Sequence, residues 1–324
     1  MARREMKAGG RRSTTKIPLE TSLVARRYFL DDVPKNQIAL EFGISRFKVA
    51  RLLEEAKALG IVRVSVDSPA DVDIELGEHL RERFGIRLAI VAAPTPEFPG
   101  ASEGMMATLA ADYLMNTLGP DDVLGISWGA TVARVIDEID SLPPVDVVQM
   151  VGGVRSSDLD SNGSELVRRL TEVGQGRAYP LMAPLIVDSL ATATALTKDA
   201  AIADVIERFK RLSFALVGVG SWEPAQSSLL RELAASDRRE ARENGAVADL
   251  CGIILDDTGA AVITGAKERT LSIGWDDLHA VSTVVAVAGG SDKGRAVAGA
   301  LRSGLIDVVV TDSACAELIL ATTS

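Results

Sequence analysis

The chain has 324 residues, of which 47% are apolar, 4% aromatic and 25% charged, with a formal net charge of −10; this is ordinary globular composition, long enough for one large domain and a small one. No stretch could span a membrane. The two cysteines, Cys251 and Cys315, lie far apart in apolar contexts and read as reduced core residues of a cytoplasmic protein, and with only His79 and His279 beside them a transition-metal site has little support.

The opening run MARREMKAGGRRSTTK is basic and has no apolar core segment, so residues 1–18 read as a disordered basic arm and not as a signal peptide. Contact with DNA phosphates and a plain solvated tail both remain open for it. Leu19 to Leu30 is expected to be a first helix, with Leu23, Tyr28 and Phe29 closing a small core. Lys35 to Phe42 (KNQIALEF) is a short second helix with Ile38 and Phe42 on one side, followed by a turn at Gly43 and Ile44. Ser45 then suits an N-cap, and Val49, Leu52, Leu53, Ala56 and Leu59 recur at helical spacing along a third helix.

The other face of that third helix carries Arg46, Phe47, Lys48, Ala50 and Arg51 in its first two turns, residues that can meet phosphates and base edges when a helix enters the major groove by its N-terminal end. A short helix, a glycine and a longer helix also occur in ordinary helical hairpins, but charge favours a helix-turn-helix. Residues 1–66 hold 14 Lys and Arg against 7 Asp and Glu, whereas the remainder holds 21 against 38. A basic head on an acidic body is the pattern of a DNA-binding domain joined to something else. The candidate DNA-binding residues are Lys35, Gln37, Ser45, Arg46, Phe47, Lys48 and Arg51.

Ile61 to Val66 (IVRVSV) alternates and reads as a short strand or wing, and Pro69 breaks the chain. Asp71 to Phe84 reads as an amphipathic connecting helix. The boundary is placed between Val66 and Asp71, giving a DNA-binding domain over 19–68 and a larger domain over 69–324.

From Leu88 onward short apolar strands alternate with helices, the signature of an α/β sheet covered by helices. Strands are expected at Leu88 (LAIVAA), Val123 (VLGIS), Val147 (VVQMV), Ala215 (ALVGVG), Ile253 (IILD), Val284 (VVAVAG) and Val308 (VVVTD). The helices between them are Glu103 to Thr117, Ala130 to Asp140, Gly163 to Val173, Lys198 to Arg211, Ser227 to Asn244, Asp292 to Ser303 and Ser313 to Leu320. Ligands of such sheets bind beyond the carboxyl ends of the strands, where three loops stand out. Gly125 to Thr131 (GISWGAT) runs from a strand into a helix, so its backbone N–H groups, with the Ser127 and Thr131 hydroxyls, could hold an anion; a glycine required only for steric reasons reads the same way. In Gly218 to Pro224 (GVGSWEP), Trp222 is hard to explain as core and would cover a ligand or a subunit contact. In Gly289 to Gly294 (GGSDKG), Lys293 is one of four lysines beyond the boundary, and a phosphate-binding role competes with that of a solvated surface lysine.

Seven segments, ISRFKVARLLEEAKALGIV, GISWGATV, VVQMVGGV, YPLMAPLIV, LVGVGS, GAVADLCG and AVAGGSDKGRAVAGALRSGLIDVVVTD, resemble in order and spacing the sorbitol-operon (SorC) type transcriptional regulators, which include deoxyribonucleoside, central glycolytic and autoinducer-2 uptake regulators. The similarity runs from about Leu23 to Leu320. It implies an α/β protein with a small N-terminal helix-turn-helix domain and a larger α/β effector domain resembling the ribose-5-phosphate isomerase and glucosamine-6-phosphate deaminase fold. It also implies operator DNA and a carbohydrate, polyol or sugar phosphate as partners, and assembly as a homodimer or homotetramer. Carried over, Gly129, Ala130 and Thr131 match the turn that binds the effector's phosphate or terminal hydroxyl, Asp249 an acidic residue that takes sugar hydroxyls, Lys293 the lysine opposite it, and Asn162 a polar contact residue. Ser127 and Gly220 complete the candidate effector set.

Some members hold a sugar phosphate through a Schiff-base lysine near the VVQ strand; Gln149, Met150 and Val151 contain none, so covalent capture is not expected. Ser213 and Phe214 stand where the family often has an acidic residue, and Ala248 departs from the GAVGD pattern. The GAT turn adds no Arg or Lys, which leaves a non-phosphorylated polyol open. The expected function is ligand-responsive transcriptional regulation, without catalytic residues, metal or cofactor. A sugar-phosphate isomerase-like enzyme carrying a DNA-binding head is the alternative; it would have to work with Asp249 or Glu223 alone. A DNA recombinase or other DNA-processing enzyme would need a clustered nucleophile or metal-binding carboxylates beside the head, and the sequence shows none.

Overall fold

The computed structural model describes residues 18–63, 71–94, 101–154 and 162–322. The expected basic arm, apart from Pro18, lies outside the described residues, as does the Val64 to Val66 end of the expected wing. The chain divides into two compact units, Met1–Asp67 and Ser68–Ser324.

The first unit contains helices α1 (Leu19–Phe29), α2 (Lys35–Phe42) and α3 (Arg46–Ala58). Gly43 closes α2 at φ 64°, a left-handed conformation that suits glycine, and Ser45 caps α3 by accepting from the Lys48 N–H at 3.2 Å. Val49, Leu52, Leu53 and Ala56 of α3 bury against Val24, Ala25 and Ile38. Truncating a leucine such as Leu53 to alanine would cost about 2–5 kcal/mol.

Three expected core positions differ. The buried stripe of α1 runs through Thr21, Val24 and Ala25 with Tyr28 beside it, which leaves Leu23 off the stripe and 43% exposed, while Phe29, the last residue of α1, is 36% exposed. Leu59 is 47% exposed because α3 ends at Ala58; the chain turns back instead, the N–H groups of Ile61 and Val62 donating to the Ala56 carbonyl. Ile61 to Arg63 form no strand.

In the second unit the strands are β1 (Leu88–Ala92), β2 (Val123–Ile126), β3 (Asp146–Gln149), β4 (Ala178–Tyr179), β5 (Phe214–Gly218), β6 (Gly220–Ser221), β7 (Ala246–Leu250), β8 (Ile253–Asp256), β9 (Thr283–Val287) and β10 (Val308–Asp312). The helices are α4 (Ile74–Phe84), α5 (Ala101–Thr117), α6 (Ala130–Asp137), α7 (Gly163–Gly174), α8 (Leu190–Thr197), α9 (Ala200–Arg208), α10 (Leu229–Glu232), α11 (Ala235–Glu243), α12 (Trp275–His279), α13 (Gly294–Arg302) and α14 (Ser313–Ala321). Seven strands pair in parallel in the order β1-β10-β9-β5-β2-β3-β4, and β6, β7 and β8 form a separate antiparallel sheet.

The continuous apolar strands follow from burial on both faces. Phe214 and Leu216 of β5 join Leu124 and Ile126 against α5, α6 and α7, whereas Ala215 and Val217 face the opposite cluster with Val205 of α9 and Val297 of α13. The connecting helix begins at Ile74, not Asp71, since Asp73 caps it by accepting from the Leu76 N–H at 3.0 Å. The single helix expected over Ser227 to Asn244 is two, α10 and α11. Leu233 is extended between them, so that it joins Leu229 and Leu230 in the core.

From β2 the chain continues outward to β3 and β4, and from β5 it reaches β9 and β10 on the other side. The β2–β5 pair is therefore the switch point of the sheet, where a crevice opens beyond the carboxyl ends.

Candidate functional site

That crevice holds a cavity of about 270 Å³. Its first wall is the β2–α6 turn. Ser127 follows β2 and its hydroxyl accepts from the Gly218 N–H at 3.3 Å, fastening the ends of β2 and β5. Trp128 donates its indole N–H to the Gly152 carbonyl at 3.0 Å, which ties the turn to the end of β3. Gly129 precedes α6 at φ 128° with no side-chain cap, and open space lies where its Cβ would stand. The first N–H groups of a helix have no partner within it, so Gly129, Ala130 and Thr131 present uncapped donors and a partial positive charge to the cavity they line.

Asp249, on β7, forms the second wall. The β7–β8 hairpin turns through Cys251 and Gly252 at φ 51° and 85°, the left-handed pair that a two-residue hairpin demands. Asp249 is 8% exposed, and Trp222 Nε1 donates to its Oδ1 at 3.1 Å. Burial pushes its carboxyl up to about 6, while the Ser227 hydroxyl, the Trp222 N–H and the charge of Lys293 pull it back down. Burial also drives the Cys251 thiol well above its ordinary range, so it is no thiolate nucleophile.

Lys293 supplies the third wall, one residue before α13. Beside it Asp292 accepts from Gln226 Nε2 at 2.6 Å. Seven residues singled out from sequence, Ser127, Gly129, Ala130, Thr131, Gly220, Asp249 and Lys293, thus line one cavity. The eighth, Asn162, does not: it caps α7, its Oδ1 accepting from the Ser164 N–H at 3.2 Å.

Trp222 also departs from expectation. It is 1% exposed, a core residue that reaches the site only through its bond to Asp249. Gln149 is buried and spans the end of β3, donating to Val151 O and accepting from Leu181 N–H. Sequence reasoning missed Trp128, Gln226 and Arg231 in the lining. Arg231 carries a second cation to the rim, and its guanidinium donates to Ser228 Oγ at 2.6 Å. Neither His79 nor His279 lines the cavity, and among the described residues no group of His, Cys, Asp and Glu could hold a metal ion.

In the first unit, Gln37, Ser45, Arg46, Phe47 and Arg51 are exposed, Phe47 at 87%. Lys35 and Lys48 are half-buried. Lys48 pairs with Glu20 at 2.8 Å and Lys35 lies 5.3 Å from the centre of the Tyr28 ring. Two of the cationic candidates are therefore already engaged within the unit.

Residues 68–321 match the Sugar-bind family, described as a sugar-binding domain. The chain is 30% identical over 301 residues to the deoxyribonucleoside regulator of Bacillus subtilis, covering 91% of this chain and 95% of that one. It is also 30% identical over 316 residues to the transcriptional regulator LsrR of Enterobacter sp., covering 93% and 94%. The crystal structure of the full-length sorbitol operon regulator SorC from Klebsiella pneumoniae superposes with a TM-score of 0.69 at 24% identity, over 93% of this chain and 97% of that one.

Proposed function

The chain belongs to the SorC-type family of transcriptional regulators with a sugar-binding domain, and from that premise we propose that it is a cytoplasmic, DNA-binding regulator of a carbohydrate or polyol operon. In this reading α2 and α3 form a helix-turn-helix, and operator affinity responds to a small sugar, polyol or sugar phosphate bound in the β2–β5 crevice. One observation carries it: Thr131, Asp249 and Lys293, from three segments far apart in sequence, line one cavity at the switch point. Each offers what a hydroxylated ligand needs. The α6 N-terminus donates to a phosphate or terminal hydroxyl, Asp249 accepts from hydroxyls, and Lys293 donates to oxygen.

On the head, Arg46 and Arg51 reach base edges, Phe47 offers an apolar contact to a thymine methyl, and Lys35, Gln37, Ser45 and Lys48 meet the phosphate backbone. The effector domain follows the connecting segment and, like the sugar-phosphate isomerase folds it resembles, keeps its ligand at the carboxyl edge of the sheet. The chain works as a homodimer or homotetramer, two heads reading two half-sites.

An isomerase-like enzyme is the less favoured reading, because the described residues of the cavity lining include one carboxylate and no histidine. A turnover assay with pentose and hexose phosphates, run beside an operator-binding assay, separates them. Operator binding that responds to one of these compounds without its conversion supports the regulator; turnover supports the enzyme.

A further inference from the structure

Three features surround the Asp249 carboxyl. Gly220 pairs with Asp249 across β6 and β7 and leaves room for it, since a Cβ on Gly220 would fall 2.8 Å from Oδ2 and nearer still to Cγ. Trp222 comes two residues later, fully buried, with its backbone N–H donating to Val247 O at 3.1 Å and its indole N–H to Asp249 Oδ1 at 3.1 Å. Ser227 then returns to the same carboxyl, held by its own N–H on Ser221 O at 3.0 Å. One short segment thus supplies both the space and the donors.

From this arrangement we propose that Trp222 is the positioning residue of the effector site: its buried indole N–H orients the Asp249 carboxyl and holds it ionised, so that a ligand hydroxyl meets an acceptor and not a neutral acid. The inference rests on the reading of the crevice as the site of a hydroxylated ligand. A buried carboxyl left to itself takes up a proton, and a neutral acid both loses acceptor strength and offers a competing donor. Lys293 alone does not settle the matter, for it acts across the cavity without an ion pair to Asp249, and its neighbour Asp292 is an acid. Among the described residues the other ionisable ones in the lining are Cys251, held neutral by burial, and Arg231 at the rim. An indole nitrogen is also a donor only, so it stabilises the ionised carboxyl and gains nothing from the protonated form.

The sequence around Trp222 fits this role better than that of a ligand cover. Tryptophan is costly to bury unless its N–H finds a partner. Here the partner is the one carboxylate among the described residues of the cavity lining.

The test uses the full chain without ligand. Indole 1H–15N resonances are followed from pH 4.5 to 8, with Trp222 assigned by substituting Trp128 and Trp275 in turn. The Trp222 resonance is expected to titrate with the Asp249 13Cγ signal, and to become flat in Asp249→Asn. Trp222→Phe should raise the Asp249 midpoint by about one to two pH units, the size of a lost hydrogen bond to a charged group, with Ser227→Ala shifting it the same way. A Trp222 resonance that ignores Asp249 overturns the proposal, and that readout in the unmodified chain stands even if Trp222→Phe does not fold. With ligand, D-ribose 5-phosphate, D-glucose 6-phosphate and D-sorbitol are titrated into Trp222→Phe. Any of them that binds the unmodified chain should bind the variant about three- to 25-fold more weakly at pH 6.5, the loss of ionised Asp249 that a one- to two-unit rise from about 6 produces, recovering toward pH 9 as Asp249 ionises. A loss independent of pH would count against positioning. Binding unaffected by Asp249→Ala would instead sink the underlying reading of the crevice while leaving the titration result intact.

Discussion

Gly220 and Asp249 face each other across the β6–β7 ladder so closely that the carboxylate occupies the place a side chain at position 220 would take. Gly220→Ala should therefore force Asp249 out of its place or spread the two strands. The expected cost is about 1–3 kcal/mol, as for other overpacked core positions. Chemical denaturation of the variant measures it, and stability equal to that of the unmodified chain would mean the carboxylate moves freely.

Asp249 also makes stability depend on pH. Its folded-state carboxyl titrates at about 6, above the ordinary 3.8. A raised acid binds its proton more tightly when folded, so its contribution is full below pH 3.8 and is lost as pH rises through 6. Asp249→Asn removes that dependence. At pH 7.5 the variant should be more stable by up to about 3 kcal/mol, two units at 1.36 kcal/mol each, and near pH 4 the two should converge. Parallel melting curves across this range decide it; a gap that widens toward acid would reverse the sign.

Much of the site was legible because three loops share a local grammar: an apolar run, a glycine and then a polar residue. That grammar marked Thr131 and Lys293. The β7 strand itself was harder, since Asp249 interrupts the apolar pattern of AVADL, and only Gly245 and the Cys251–Gly252 turn punctuate it. Asn162 misled because a helix cap and a ligand contact call for the same side chain. Trp222 misled for the opposite reason, a polar-looking loop being folded inward by a bond to a residue 27 positions away. Gln226 and Arg231 gave no signal: they fall in or beside a stretch with continuous helical pattern, and the break at Leu233 is set by tertiary burial. In the first unit the cap and turn at Gly43 and Ser45 could be read, whereas the rotation of α1 that exposes Leu23 could not, because one apolar residue at its neighbouring position fits either stripe.

The head makes a separate prediction. Arg46→Ala and Arg51→Ala should each weaken operator binding by roughly 1–3 kcal/mol if the contact is a bidentate base pairing, and affinity should fall steeply with salt. Lys48 is different, since its ammonium is held by Glu20 at 2.8 Å. Glu20→Gln should free it and strengthen binding to operator and random DNA alike. Fluorescence anisotropy over a salt series reads both effects, and intact operator affinity in both arginine variants would remove α3 from the reading role.

Assembly follows from two-fold recognition: operators of paired heads are expected to be pseudo-palindromes. Sedimentation at micromolar concentration, with and without operator DNA, should show a dimer or a tetramer. A monomer under both conditions would contradict it.

The most direct test of an effector-responsive regulator joins the cavity to the DNA. Sugars, polyols and their phosphates are titrated calorimetrically into the unmodified chain, Asp249→Ala and Lys293→Ala, and operator affinity is measured with and without each compound. Binding can change DNA affinity only through a difference in effector affinity between the free and operator-bound states, so a tenfold response requires about 1.4 kcal/mol of coupling. At least one compound should bind and shift operator affinity in the unmodified chain, while both variants lose binding and response yet keep their hold on DNA. If the compound that shifts operator binding binds both variants as tightly as the unmodified chain, the effector lies elsewhere and the crevice is not its site.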